Sequence, residues 1–186
     1  MRFALFAGAA LGFALTAGCE PPESYQKRAE RVAQDLAKKT VPVDPSKPPP
    51  VPPISIEKGP ERPDFAKVAA ASAQVRSLKV EDVTVGTGAV AAVGKYVTVH
   101  YRGTLPDGFV FDTSLKNGRP FIFKLGQGQV IKGWDQGIQG MRVGGVRKLT
   151  IPANLAYGDS PQDPTTIPPR AALMFEVYLM FVGDRP

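Results

Sequence analysis

Val-Ile-Lys-Gly-Trp at residues 130–134 lies inside the stretch Gln129 to Gln139, where Ile131, Trp134 and Ile138 recur three and four residues apart. That spacing predicts a helix over 129–139. On both sides of it the apolar period is two. Upstream, Val97, Val99 and Tyr101 alternate with Tyr96, Thr98 and His100; downstream, Val146, Lys148 and Thr150 alternate with Arg147, Leu149 and Ile151. The last run is the longest, with Leu173, Phe175, Val177, Leu179 and Phe181 on one face and Glu176 on the other. Shorter strands are expected at 80–85, 109–112 and 120–125. Asp107-Gly108 reads as a hairpin turn and Gly144-Gly145 as a strand entry. Several strands against one short helix predict an α+β domain over 78–186, long enough to bury a core without staples.

Aromatic residues concentrate in that domain. Of the chain's ten Phe, five Tyr and one Trp, most lie between Tyr96 and Phe181. A surface needs few of them, so they are expected to line a core or an apolar pocket. A second block, Ile-Pro-Pro-Arg at 167–170, enters the last strand.

The residues before Leu78 read as delivery and spacing. Arg2, the apolar run Phe3–Leu15 and the small residues after it form an export signal over 1–18, too short for a permanent span. The only cysteine, Cys19, follows Ala17-Gly18, which resembles the bacterial lipoprotein processing box. A lone cysteine makes no internal disulfide, and lipidation of Cys19 explains its place better than a packing role for a free thiol. Two or three acyl chains would hold the mature protein on a membrane. By the same resemblance, Glu20 in place of a retaining aspartate points to the periplasmic face of the outer membrane.

Within 19–39, Tyr25, Ala29, Val32 and Leu36 give a thin helical stripe with i,i+4 ion pairs, read first as a tether. Packing on a neighbour and weak dimerisation are its alternatives. Over 40–77 a proline-rich spacer runs into an alanine-rich lead-in helix with Pro63 near its start. From Thr40 to Asp64 there are nine prolines, which favour extended polyproline-II structure. The sharper alternative is a docking site for a proline-reading module.

Several chemistries are excluded. The net charge of +6 is scattered, with no phosphate-tracking stripe, so nucleic acid is not an expected partner. His100 is the only histidine and sits mid-strand among valines, a structural imidazole; with one cysteine besides, no metal cluster is expected. Leu125-Gly126-Gln127-Gly128-Gln129 lacks a phosphate loop's ending and the dinucleotide spacing. No cofactor is implied.

What remains is an aromatic site with a few polar handles. The supporting segments are Val99-His100-Tyr101-Arg102-Gly103, Gly108 to Ser114, Pro120-Phe121, Leu125-Gly126, Val130 to Trp134, Gly140-Met141, Val143-Gly144, Ala156-Tyr157-Gly158 and Ile167-Pro168-Pro169. In order and spacing they resemble the FKBP-type peptidyl-prolyl cis/trans isomerases over about residues 78–182. The resemblance implies an antiparallel half-barrel sheet wrapped around one short helix.

It also implies the site. Trp134 matches the family's pocket floor; Tyr101, Phe121, Val130, Ile131 and Phe175 match its apolar walls. Phe111 matches the aromatic beside the bound proline, Asp112 the carboxylate at the pocket's edge, and Tyr157 the hydroxyl donor to a bound carbonyl. Ile167 lies at the start of the overhanging flap. Asp112, Tyr157 and Phe111 are thus the implied catalytic residues and the others substrate-binding. Asn117 stands where many members carry a basic residue. The 159–166 loop, Asp-Ser-Pro-Gln-Asp-Pro-Thr-Thr, is about one residue longer than the short form and lacks its glycines.

The expected activity is rotation of X–Pro bonds in unfolded or partly folded exported proteins, with macrolides as inhibitors by family resemblance. An envelope-anchored proline-peptide binding or chaperone-like module with incidental catalysis is the alternative.

Overall fold

A computed structural model describes residues 40–41, 54, 59–161 and 163–185. The signal, Cys19, the 23–39 helix and most of the proline-rich stretch lie outside the described residues.

Among these residues seven strands form one sheet: β1 (Thr40–Val41), β2 (Lys79–Gly86), β3 (Tyr96–Thr104), β4 (Val110–Thr113), β5 (Phe121–Lys124), β6 (Val146–Ile151) and β7 (Leu173–Gly183). Their order is β1-β2-β6-β7-β3, and the far edge of β3 is shared by β5 and β4. β5 pairs with Tyr96–Val99 and β4 with Arg102–Thr104. Every pairing is antiparallel except β1 on β2, which is parallel. The expected antiparallel open sheet with a short helix is therefore present, extended at one edge by a parallel two-residue strand.

The period-two reading holds where one face is buried and the other wet. Val97, Val99, Leu149, Leu173, Val177 and Leu179 point into the core. On the opposite face, register sets Glu81, Lys148, Glu176 and Arg102 side by side across β2, β6, β7 and β3. Alternating charges directly opposite one another stabilise a solvated sheet face.

Among the described residues two α-helices accompany the sheet, α1 (Phe65–Ser72) and α2 (Lys132–Gly137). α2 is shorter than the helix predicted over 129–139. The cause lies in the turn before it: Asp135 accepts hydrogen bonds from the Gly126 and Gly128 amides at 2.8 and 3.0 Å, and Gln129 accepts one from Lys124 N at 2.8 Å. These bonds hold Gly126–Gln129 in a turn, and Ile131 is extended at the helix start. α2 lies so close to β6 that a Cβ on Gly133 would strike Ile151 and one on Gly137 would meet Leu149 at 2.7 Å. Its glycines lower helix propensity but permit this approach. At its other end the buried Arg147 guanidinium donates to Gly137 O at 2.8 Å and Gln139 O at 3.2 Å, and pairs bidentately with Asp82 at 2.6 and 3.0 Å.

α1 is the alanine-rich lead-in helix. Asp64 caps it, accepting from Lys67 N at 3.0 Å. Its Val68 is fully buried in the same core as Trp134, Ile138 and Leu173. Ile54, from the proline-rich stretch, is 4% exposed and packs on Val146 and Tyr178, on the sheet face away from α2. Packing with the domain thus extends upstream of Leu78. Periodicity does not reveal it, because single apolar anchors set among alanines and prolines leave no repeating pattern.

Candidate active site

β3 and β4 build one wall of a cavity of about 370 Å3, the turn into α2 adds Gln129, Val130 and Ile131, and Trp134 of α2 lies beneath. It is lined by Tyr101, Phe111, Asp112, Phe121, Gln129, Val130, Ile131, Trp134, Tyr157 and Phe175. Nine of the ten site residues expected from sequence are brought together there.

Trp134 is the hub. Its ring meets Tyr101 and Phe175 edge-on, both at 5.1 Å between centroids, and Phe121 at 6.1 Å. Phe111 meets Phe175 edge-on at 5.5 Å. Such T-shaped contacts each add about 0.5–1.5 kcal/mol beyond burial and fix ring orientation. Gly103 lets the two rings close: a Cβ there would lie 2.7 Å from Phe111 and 2.9 Å from Phe175. Trp134 Nε1 is buried without a hydrogen-bond partner, so the floor presents only its apolar ring system.

The polar groups sit at the rim. Tyr101 donates its hydroxyl to Asp112 Oδ2 at 2.6 Å. The backbone beneath is fixed by Ser114, whose hydroxyl accepts from Tyr101 N at 2.9 Å, and by Thr113, which donates to Tyr101 O at 2.9 Å. His100 Nδ1 is 2.9 Å from the same Ser114 hydroxyl, the structural role its mid-strand place implies. Burial, then the hydrogen bond and charge of Asp112, push the Tyr101 phenol well above its ordinary value. Burial first, then the charge of Asp112, also push the Tyr157 phenol up. Both hydroxyls remain donors at neutral pH, and only Tyr101 is committed to the carboxylate by a hydrogen bond.

Ile167 is the exception among the expected residues. It is buried in the core cluster and does not line the cavity. Beyond Tyr157, Asp163 nucleates a turn: its backbone carbonyl accepts from Ile167 N at 2.9 Å and its carboxylate from Thr165 N at 3.0 Å. The turn leads Ile167 inward, and its apolar side chain packs there. Gln129 is the lining residue that sequence reasoning missed. Its signal is its place directly before Val130-Ile131, at the junction of turn and helix.

Among the described residues no group of His, Cys, Asp or Glu could hold a metal ion. Nothing in the cavity offers a nucleophile poised against a base. An apolar cup with one free hydroxyl and one carboxylate-bound hydroxyl suits a reaction that breaks no covalent bond.

Comparison with known proteins gives the same answer. The family profile described as FKBP-type peptidyl-prolyl cis-trans isomerase matches residues 88–180. An FK506-binding protein of Neisseria meningitidis (serogroup A) is 51% identical over 108 residues, 58% of this chain and 98% of that protein. Peptidyl-prolyl cis-trans isomerase FKBP15-2 of Arabidopsis thaliana is 56% identical over 93 residues, 50% of this chain and 56% of that protein. The crystal structure of AtFKBP13 superposes with a TM-score of 0.52 at 41% identity, covering 56% of this chain and 91% of that one. The chain belongs to the FKBP-type peptidyl-prolyl cis-trans isomerase family.

Proposed function

We propose that this protein accelerates cis–trans rotation of X–Pro bonds in exported or envelope proteins as they fold, working from a lipid anchor at Cys19 on the periplasmic face of the outer membrane. The observation that carries the catalytic part is the cavity itself: an aromatic cup of about 370 Å3 with Trp134 beneath and Asp112, Tyr101 and Tyr157 at its rim.

The barrier to rotation is amide resonance, about 18–20 kcal/mol. A planar amide carries charge separation between its oxygen and nitrogen; the twisted amide has lost much of it. Transfer from water into an apolar cup therefore disfavours the planar forms relative to the twisted one. The proline ring rests against Trp134 between Phe111 and Phe175, while the residue before it rotates. Tyr157 donates to a substrate carbonyl and holds one side of the rotating bond. Asp112 orients Tyr101 and sets the field at the rim. No bond is made and no proton is transferred, so neither cofactor nor metal is needed.

The substrates are proline-containing segments of unfolded or partly folded chains, with leucine or phenylalanine before proline preferred, as in the family. Macrolides of the FK506 class fit the same cup as competitive inhibitors. The anchor rests on Ala17-Gly18-Cys19 at the end of an apolar leader. Among the described residues no helix is long and apolar enough to cross a membrane.

Protease-coupled isomerisation of an aromatic-Pro peptide by residues 20–186, beside Asp112→Leu and Tyr157→Phe, tests the catalytic reading. Acceleration that falls in both folded variants supports it. A folded wild type with no acceleration across several residues before proline leaves a proline-peptide binder. Labelling with radioactive palmitate, lost in Cys19→Ala, together with membrane fractionation tests the anchor.

A further inference from the structure

We propose that Ser72, at the end of α1, is a positioning residue for Tyr157, acting through the Pro169–Ala172 segment that clasps the Tyr157 loop. The proposal rests on the role given above to the Tyr157 hydroxyl.

The link runs through named bonds. Ser72 Oγ accepts from Ala172 N at 2.9 Å, and both residues are buried. Two residues earlier, Arg170 N donates to Gly158 O at 2.8 Å, and Arg170 Nε pairs with Asp159 Oδ1 at 2.5 Å. Gly158 directly follows Tyr157. The two ends of the 159–169 loop are therefore joined at Arg170, and Ala172, two residues on, is a buried backbone anchor to α1.

Arg170 has φ of 60°, the one positive value at a non-glycine among the described residues. A long side chain persists in that region only where its surroundings over-determine it. The ion pair is exposed on both sides and holds little on its own. The buried Ala172–Ser72 bond is the stronger restraint, since an unpaired buried amide is costly.

α1 is itself held at its start and its middle, which makes it a fixed point. At its start Asp64 N donates to Asp107 Oδ2 at 2.7 Å, tying it to the β3–β4 hairpin. Val68 anchors it in the core shared with Ile167 and Ala171. On its remaining side α1 faces the loop across a cleft of about 820 Å3 lined by Ala69, Ser72, Asn154, Gly158 and Arg170, so the Ser72 hydroxyl is its polar link to the segment beside the apolar contact of Val68. Helix α1 lies upstream of the family match at residues 88–180.

The test is a double-mutant cycle on the full chain with an aromatic-Pro peptide, at a temperature where circular dichroism shows every variant folded. Ser72→Ala is expected to lower kcat/KM about fivefold, in kcat rather than KM, because a misplaced hydroxyl loses contact with the twisted amide. Ser72→Thr keeps the acceptor, has room for its methyl in the cleft, and is expected to restore the rate. In a Tyr157→Phe background Ser72→Ala is expected to cost no more than about twofold further.

Equal losses in both backgrounds, or wild-type kcat in folded Ser72→Ala, would overturn the positioning role while Tyr157→Phe still shows the role of Tyr157. Full activity in Tyr157→Phe removes the role of Tyr157 and this route with it. Should Ser72→Ala fail to fold, the same comparison is made with Ser72→Cys, Ser72→Thr serving as the control that keeps the acceptor; a loss in Ser72→Cys that vanishes in Tyr157→Phe supports the proposal and an undiminished one overturns it.

Discussion

Tyr101 and Asp112 stand on neighbouring strands, and the 2.6 Å bond between hydroxyl and carboxylate closes β3 onto β4 at the mouth of the cavity. Each strand presents one polar group to the cavity. Together they turn an aromatic cup into an oriented one.

Breaking that bond from either side is expected to have the same consequence. Tyr101→Phe and Asp112→Asn should each lower kcat/KM about three- to tenfold, since a hydrogen bond to a charged group is worth roughly 1.5–3 kcal/mol where shielded and less at an exposed rim. The double variant should lose little more than either single one. Additive losses would mean that the two residues act separately.

Trp134 is expected to tolerate loss of its N–H better than loss of its bulk. Its Nε1 has no partner, so Trp134→Phe strands no polar group and should cost about 1–2 kcal/mol of stability. Trp134→Ala empties the floor and should cost about 3–5 kcal/mol. Urea midpoints of the two variants, read beside their isomerase rates, check this. Equal destabilisation would show that the indole N–H is bonded after all.

The pH response separates stability from activity. Burial lowers the affinity of His100 for a proton, so below about pH 6.5 the unfolded chain binds more protons than the native one. This contribution is complete above that pH. It declines as pH falls toward the native value, by at most about 1.4 kcal/mol per unit for one proton. His100→Gln should flatten urea stability between pH 7 and 5. In the alkaline direction the raised phenols of Tyr101 and Tyr157 should keep kcat/KM level from pH 7 to about 10. A fall centred near pH 8 or 9 would contradict the protonated-donor role.

Ile54 offers a test of how far the folded unit reaches. It is buried against Val146 and Tyr178, so Ile54→Ala should destabilise the chain by about 2–4 kcal/mol. A free spacer residue would give no change. The measurement is the urea midpoint with the slope held constant.

The sequence by itself determined the strands and the character of the site. Val97-Thr98-Val99 and Leu173–Val177 alternate because one sheet face is buried and the other wet, and that contrast is written residue by residue; the bulge in the β3–β7 pairing ends it, leaving Phe181 exposed. The pocket set from Tyr101 to Phe175 was legible because its order follows the family, the spacing departing only in the 159–166 loop, and because an apolar cup needs a recognisable set of aromatics. Tertiary structure decided what depends on single long-range contacts. The start of α2 was set by the carboxylate of Asp135 reaching back to Gly126 and Gly128, which no periodicity encodes. The same holds for the inward path of Ile167, for Gln129 on the cavity wall, and for Val68 and Ile54 in core packing. Each rests on one side chain finding a distant partner. One contact leaves no repeat along the chain, so only the folded arrangement reveals it.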